Sequence, residues 1–246
     1  MTQLKSAPTP AVPSPYLPRM GKIIEAETFT ETEKFFRIVL SDRSHLNHTP
    51  GQFIEVSVFG IGEAPISVAS SPTQPDSFEL CVRNVGHVTN ALHALSVGDE
   101  VGIRGPFGHG FDTEATTGKD ILFVAGGLGL APTRSFIKYV IDKREQYNNV
   151  TILVGAKNPA LLLFKKELDA WQSRPDVRCL VTVDRADGSW KGKTGLITTL
   201  FRQVAIDARN TIAVIVGPRS CSSSPSWRPC PWASPSVTFS APSSVA

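Results

Sequence analysis

A change of period near Gly118 constrains this 246-residue chain more than any other feature. From about Gly21 to Phe111 the apolar residues fall in short β-branched and aromatic runs, several alternating with polar ones. They read KIIEAETFT, FFRIVLSD, QFIEVSVFG, ISVAS, FELCVRNVG and DEVGIRGPFG, separated by Gly, Pro, Asp or Ser. Six short strands and one helix, over TNALHAL, predict a small closed antiparallel barrel. Beyond Gly118, compact apolar runs alternate with helical spacings. DILFVAGG precedes RSFIKYVIDKREQY, where Phe136, Ile137, Val140 and Ile141 share one side. NVTILVGAK precedes LLLFKKELDAWQ, VRCLVTVD precedes GLITTLFRQV, and TIAVIVGP closes the series. The order β-α-β-α-β-α-β predicts an α/β domain, a doubly wound parallel sheet with helices on its faces. The expected divisions are a Pro-rich leader at 1–17, a barrel at 18–113, the α/β domain at 114–218 and a separate tail at 219–246.

Composition narrows the function. With 41% hydrophobic and 19% charged residues the chain reads as globular, and the net charge of +3 is spread without the basic cluster a nucleic-acid footprint would need, so none is expected. Cys81, Cys179, Cys221 and Cys230 show no Cys-x-x-Cys and no ligand-like His spacing, so no zinc or iron–sulfur site is expected in this chain. No signal peptide or membrane-spanning apolar run is present, and the expected compartment is the cytoplasm, with reduced thiols.

Three stretches carry candidate chemistry. AGGLGLAP (125–132) lies between a strand and a helix, where parallel sheets bind ligands. Gly126, Gly127 and Gly129 would let a phosphate reach the backbone at a helix amino terminus, or would serve only a tight turn. Pro132 replaces the last glycine of the dinucleotide fingerprint. EAPISVAS (63–70) leads from a Gly-containing loop into a strand. VRNVGHVTNALHAL, from Val82, passes Gly86 into a helix whose first turn holds Thr89, which would bind a pyrophosphate or cap the helix. His87, His93 and His109 have no partners at metal-ligand spacing.

Taken in order, PGQF, PIS, VRNVGHVT, GDEVGIRGPFG, VAGGLGLAP, VGAK, VTVD and VGP resemble the ferredoxin–NADP reductase-type flavoproteins over roughly 19–218. GIGEAPIS and RGPFGHGF are most similar to the gamma subunits of cytoplasmic hydrogenases and sulfhydrogenases. The B component of anaerobic sulfite reductase and the electron-transfer subunit of dihydroorotate dehydrogenase are similar too. The resemblance implies that Ala64, Pro65, Ile66 and Ser67 occupy the family's Arg-x-Tyr-Ser flavin motif, with Ser67 beside the reactive edge of the isoalloxazine. It implies that Cys81, Val82 and Arg83, then Gly86, Val88 and Thr89, hold the ribityl and pyrophosphate parts of FAD. Gly126, Gly127, Leu128, Gly129 and Pro132 match the nicotinamide-nucleotide loop. Gly155, Lys157 and Asp184 match nucleotide-side strand ends, and Gly217 and Pro218 the Cys-Gly-Pro near the nicotinamide. The chain departs from the pattern at Ala64 for Arg, Ile66 for Tyr and Val216 for Cys, so a phosphate contact is expected from elsewhere, with Arg83 the candidate. Lys157 would suit a 2′-phosphate or be a solvated surface lysine, which leaves NADH and NADPH both open.

The tail differs from everything before it. Residues 219–246 include ten Ser and five Pro among 28, with no Lys, Asp, Glu, Leu, Ile or Met. Serine codons of the TCN type, read one base out of phase, encode Phe, Leu, Ile or Val, and those of Cys and Trp encode Met, Leu or Val. SCSSSPSWRPCPW then permits VMFKFAVLEALPV, a Met-containing amphipathic helix of the kind the resembled proteins carry. The expectation is a frameshifted tail, in place of the last helix, strand and [2Fe–2S]-binding cysteines of those proteins. The strand TIAVIV would then keep an open edge, and the chain would aggregate more readily.

These readings predict an FAD-dependent NAD(P)H oxidoreductase subunit. It would pass electrons through an iron–sulfur partner to a catalytic subunit of a cytoplasmic redox complex such as a hydrogenase or a sulfur or sulfite reductase. A free-standing diaphorase or ferredoxin reductase, and a redox-inactive binding module of the same fold, remain the alternatives.

Overall fold

The structure is a computed structural model that describes residue 14 and residues 16–217. Its first half is one six-stranded antiparallel sheet: β1 (Arg19–Thr28), β2 (Glu33–Leu40), β3 (Phe53–Val58), β4 (Gly62–Ser67), β5 (Phe78–Arg83) and β6 (Glu100–Phe107). The strand order is β4-β3-β6-β1-β2-β5, and a bridge between Val68 and Leu80 joins the two outer strands. The sheet therefore closes on itself as expected, which removes its edges. Ile23, Phe36, Ile38, Ile54, Val56, Val101 and Ile103 fill its interior. Helix α1 (His87–Ala94) plugs one end through Leu92 and the partly buried Val88. The strand expected at ISVAS begins four residues earlier, because Gly62–Ser67 pairs with β3 in register, Ala64 opposite Val56 and Ile66 opposite Ile54.

The second half is a parallel sheet of β7 (Asp120–Gly126), β8 (Val150–Ala156), β9 (Arg178–Val183), β10 (Lys193–Thr194) and β11 (Thr211–Val216). Its order is β10-β9-β8-β7-β11. Helices α2 (Leu130–Asp142) and α3 (Lys165–Gln172) cover one face, burying Phe136, Ile137, Val140, Leu168 and Trp171 against Ile121, Phe123, Ile152 and Val154. The other face, Leu122, Val124 and Leu153, is covered by Leu200 and its neighbours. After β9 the chain passes under that second face to place β11 beside β7, so the winding reverses between β7 and β11.

Three expectations in this half need correction. GLITTLFRQV is not an α-helix but a 3-10 segment, Ile197–Gln203. The consecutive β-branched residues Ile197, Thr198 and Thr199 lower its α-propensity. In LLLFKKELDAWQ the helix starts only at Lys165, after Phe164 takes a left-handed φ of 52°. Leu162, Leu163 and Phe164 instead plug the core. The short strand β10 was not expected, since two residues leave no periodic signal.

Phe35, Ala69 and Cys81 of the barrel belong to the same apolar cluster as the helices of the α/β domain, and Phe111 stacks on Phe136 with ring centroids 4.9 Å apart. The two halves thus share a core. Among the described residues no helix is long and apolar enough to cross a membrane. Pro218 and the tail at 219–246, with Cys221 and Cys230, lie outside the described residues, as does most of the leader.

Candidate functional site

The nicotinamide-side candidates are shaped by backbone crowding. Strand β7 ends at Gly126, and Gly127–Gly129 forms a 3-10 turn that feeds α2 directly. Gly127 has φ +55° with open space where a side chain would stand, a conformation few other residues adopt cheaply. Gly129 is helical in conformation but pressed against the exit of β11: a Cβ there would lie 2.5 Å from the Val216 carbonyl oxygen and 3.2 Å from the Gly217 nitrogen. The loop after β7 and the loop after β11 therefore meet at the reversal of winding, the crevice where open α/β sheets bind ligands. Pro132 fits the first turn of α2, where its missing N–H has no partner to lose. Half-buried Leu128 packs on the main core.

Gly155 is different. It is buried beneath Ile197, 3.0 Å from where its Cβ would be, so close packing accounts for this glycine. Lys157 and Asp184 are exposed just past β8 and β9, linked through backbone bonds from Asp184 N–H to Ala156 (2.9 Å) and Arg185 N–H to Lys157 (3.0 Å). They stand at the same carboxyl edge of the sheet as Gly126 and Val216.

The flavin-side candidates are arranged by side chains. Along β4, Glu63 and Pro65 are exposed while Ala64, Ile66 and Ser67 are half-buried. Ile66 and Val88 pack on the barrel core, so both have a packing task of their own. Glu63 is held by Arg104 through a bidentate pair, 3.1 and 2.5 Å. On β5 the strand alternation sends Cys81 into the core shared by the domains and Val82 into the barrel. Burial and the nearby Glu33 charge push the Cys81 thiol up to about 12, so it stays protonated and inert. Of these three residues only Arg83 reaches the surface with its side chain.

Arg83 Nε donates to Glu33 Oε1 at 2.5 Å, while the rest of the side chain is 45% exposed. Burial opposes ionisation of Glu33, but hydrogen bonds from Thr30, Arg83 and Thr32 outweigh it and hold the carboxyl below its usual value. The pair is neutral overall, so Arg83 offers directed N–H donors rather than net positive charge. Thr89 takes the capping role. Its hydroxyl accepts from the N–H groups of Val85 (3.0 Å) and Gly86 (2.9 Å) and donates to the Gly86 carbonyl (3.0 Å). Gly86 itself is extended, with nothing within 4 Å of where its Cβ would be, so the entrance to α1 is open. The first amides of the helix have no carbonyl partner inside it, and the space before them is open.

Two residues invisible as candidates in the sequence join these halves. Arg134, on α2, and Glu79, on β5, pair at 2.6 Å with both side chains almost wholly buried. Arg134 also donates to the Ala69 carbonyl (2.8 Å) just beyond β4, and Ser135 Oγ to that of Ser70 (2.6 Å). Ser67 is thereby tied within two residues to the helix that carries the glycine loop. Sequence separation hid them: Glu79 and Arg134 are 55 positions apart.

Residues 20–111 match the oxidoreductase FAD-binding domain family and residues 123–222 the oxidoreductase NAD-binding domain family. Sulfhydrogenase 1 subunit gamma of Pyrococcus furiosus is 37% identical over 211 residues, 83% of this chain and 72% of the relative. The chain belongs to the FAD- and NAD-binding oxidoreductases of the ferredoxin–NADP reductase type. Within that family it is also 34% identical, over 70% of its length and 60% of the relative's, to a probable dihydroorotate dehydrogenase B (NAD(+)) electron transfer subunit of the same organism. A ferredoxin NADP+ reductase of Neisseria gonorrhoeae, solved with FAD and NADP, shares the fold at TM-score 0.68 and 20% identity, covering 82% of this chain and 86% of that one. The chain is an FAD-dependent NAD(P)H oxidoreductase that transfers electrons between the two cofactors. The crowded glycine turn at the sheet's switch point fits a dinucleotide, and the first amides of α1, beside the open space at Gly86, fit a phosphate.

Proposed function

We propose that the protein is the electron-input subunit of a cytoplasmic redox complex, taking reducing equivalents from NAD(P)H and delivering them through an iron–sulfur carrier to a catalytic subunit of the hydrogenase or sulfur-reductase kind. What carries this reading is the contact between Gly129 and the Val216–Gly217 exit on the helix that is bonded directly to the segment following Ser67. It gives a short, stiff path from nicotinamide loop to flavin ledge. The resemblance to gamma subunits over most of the chain supports the multi-subunit part.

FAD when bound accepts a hydride from NAD(P)H, both electrons moving with one proton, and releases the electrons singly to an iron–sulfur centre. The protein's part is binding and orientation. The amides of Gly126–Gly129 and the amino end of α2 hold the nicotinamide nucleotide's pyrophosphate, while Lys157 and Asp184 meet its adenosine side. The first amides of α1, reached through the open space at Gly86, and the outer N–H groups of Arg83 would hold the flavin's pyrophosphate. Ser67, half-buried at the end of β4, would stand beside the flavin's reactive edge. Ala64 leaves a charge unfilled that Arg83, neutralised by Glu33, replaces only in part, and weaker flavin retention than in relatives with the motif's Arg follows.

The test is an anaerobic titration of the FAD-loaded chain. Bleaching of the flavin absorbance by NADH or NADPH is expected. A folded protein that takes up no flavin would leave the binding-module reading, and bleaching with no co-purifying partner in the native host would favour a free-standing diaphorase.

A further inference from the structure

Among the described residues Arg134 is the largest fully buried side chain. Its fork grips Glu167 of α3 at 2.8 and 2.5 Å, its remaining nitrogen reaches Glu79 and the Ala69 carbonyl, and its guanidinium lies 4.5 Å from the centre of the Phe164 ring. Glu79 is held in turn by Arg37 (2.9 Å) and Lys138 (3.6 Å). Burial works against ionisation of Glu79, yet the Arg134 and Lys138 charges and hydrogen bonds from Arg134 and Arg37 bring it to about 2. Glu79 therefore keeps its charge at neutral pH. Apolar residues of similar size often replace buried ion pairs without loss of stability, so four directed bonds from one side chain to three elements point to geometry rather than stability.

That geometry lies between the two cofactor ledges. Ala69 follows Ser67 by two extended residues, roughly 7 Å. Arg134 follows Gly129 by five helical residues, roughly 8 Å. We propose that Arg134 is a positioning residue for hydride transfer, fixing through Ala69, Glu79 and Glu167 how close and at what tilt the nicotinamide loop faces the flavin ledge. This rests on the function proposed above. The step it serves breaks the C–H bond at the nicotinamide's reduced carbon and moves the hydrogen with its electron pair to the flavin ring nitrogen, oxidising the nucleotide and reducing the flavin. Reacting atoms must approach to about 3–3.5 Å, and a misplacement of about 1 Å costs on the order of a hundredfold in rate.

The experiment is stopped-flow reduction of the FAD-loaded full chain by saturating NADH or NADPH, with the 4-deuterated nucleotide run in parallel. Arg134→Lys keeps the charge but loses the fork, and Glu167→Gln weakens one arm at a half-buried carboxylate. We expect the rate constant at saturation to fall about 10- to 100-fold in Arg134→Lys and about 3- to 10-fold in Glu167→Gln, with a larger isotope effect. Nucleotide affinity and flavin content should stay within about threefold, separating kcat from KM. A lowered melting temperature with the rate at saturation within twofold of wild type would overturn the proposal. If Arg134→Lys does not fold, Glu167→Gln decides alone, and an unchanged rate there overturns it. Wild-type protein that binds FAD but is bleached by neither nucleotide would remove the proposed function itself, and this positioning role with it.

Discussion

The two sides of the site are held open by opposite means. On the α/β side, Gly126–Gly129 is shaped by backbone against backbone, with no charged side chain in the turn. On the barrel side, the ledge and the entrance to α1 are shaped by side-chain bonds: Arg83 with Glu33, Glu63 with Arg104, and Thr89 with the amides before it. Substitutions on the first side therefore act through volume or backbone conformation and are indifferent to pH. Those at the ion pairs of the second side, and at the buried cluster joining the sides, act through charge.

Gly129→Ala should break the first side most severely. The added carbon meets the Val216 carbonyl, backbone that cannot rotate away. A stability loss of about 3 kcal/mol and weakened nucleotide binding are expected in denaturant melts and fluorescence titration. An unchanged midpoint would show that crowding is not what requires glycine.

Acid titration sharpens the other half of the contrast. Glu79 titrates at about 2 in the folded chain against an ordinary 4.5. A lowered carboxyl stabilises the fold fully above the ordinary value, and that contribution disappears as pH falls toward 2. The expected loss is about 3 kcal/mol between pH 4.5 and 2, and Glu79→Gln should flatten that limb of the stability–pH curve.

Gly127→Ala tests conformation without crowding, since φ is +55° and the space is open. A cost of about 1–2 kcal/mol is expected, independent of pH. Arg83→Gln should lower FAD affinity about tenfold, roughly 1.4 kcal/mol, as read by flavin fluorescence. Equal affinity would remove Arg83 from the phosphate site. Gly86→Ala, extended and unobstructed, should change stability by less than about 0.5 kcal/mol. If FAD binding nevertheless fails, the ligand rather than the fold needs that space.

Much of this was legible before the structure because local patterns carry it. Phe136, Ile137 and Val140 announce the buried face of α2, and all three are fully buried. The segment 197–203 misled because its apolar spacing is helical while its β-branched residues disfavour the α form. At Gly155 the structure adds a packing reason for glycine that the sequence did not show, because the atoms that crowd it belong to Ile197, 42 positions away.

By itself the sequence determined the class of each half, the order of the elements and the position of the glycine turn at the end of β7. Those depend on hydrophobic period and on residues that act within a few positions of themselves. Only the tertiary structure decided which residues bind the halves together: Arg134 and Glu79, with Glu167 holding Arg134 from its own side, have no local signature, because a buried charge is tolerable only where distant strands and helices bring it partners. It also decided that Gly129 is crowded while Gly86 is free, since the atoms that crowd Gly129 belong to the strand laid beside β7 by the reversal of winding.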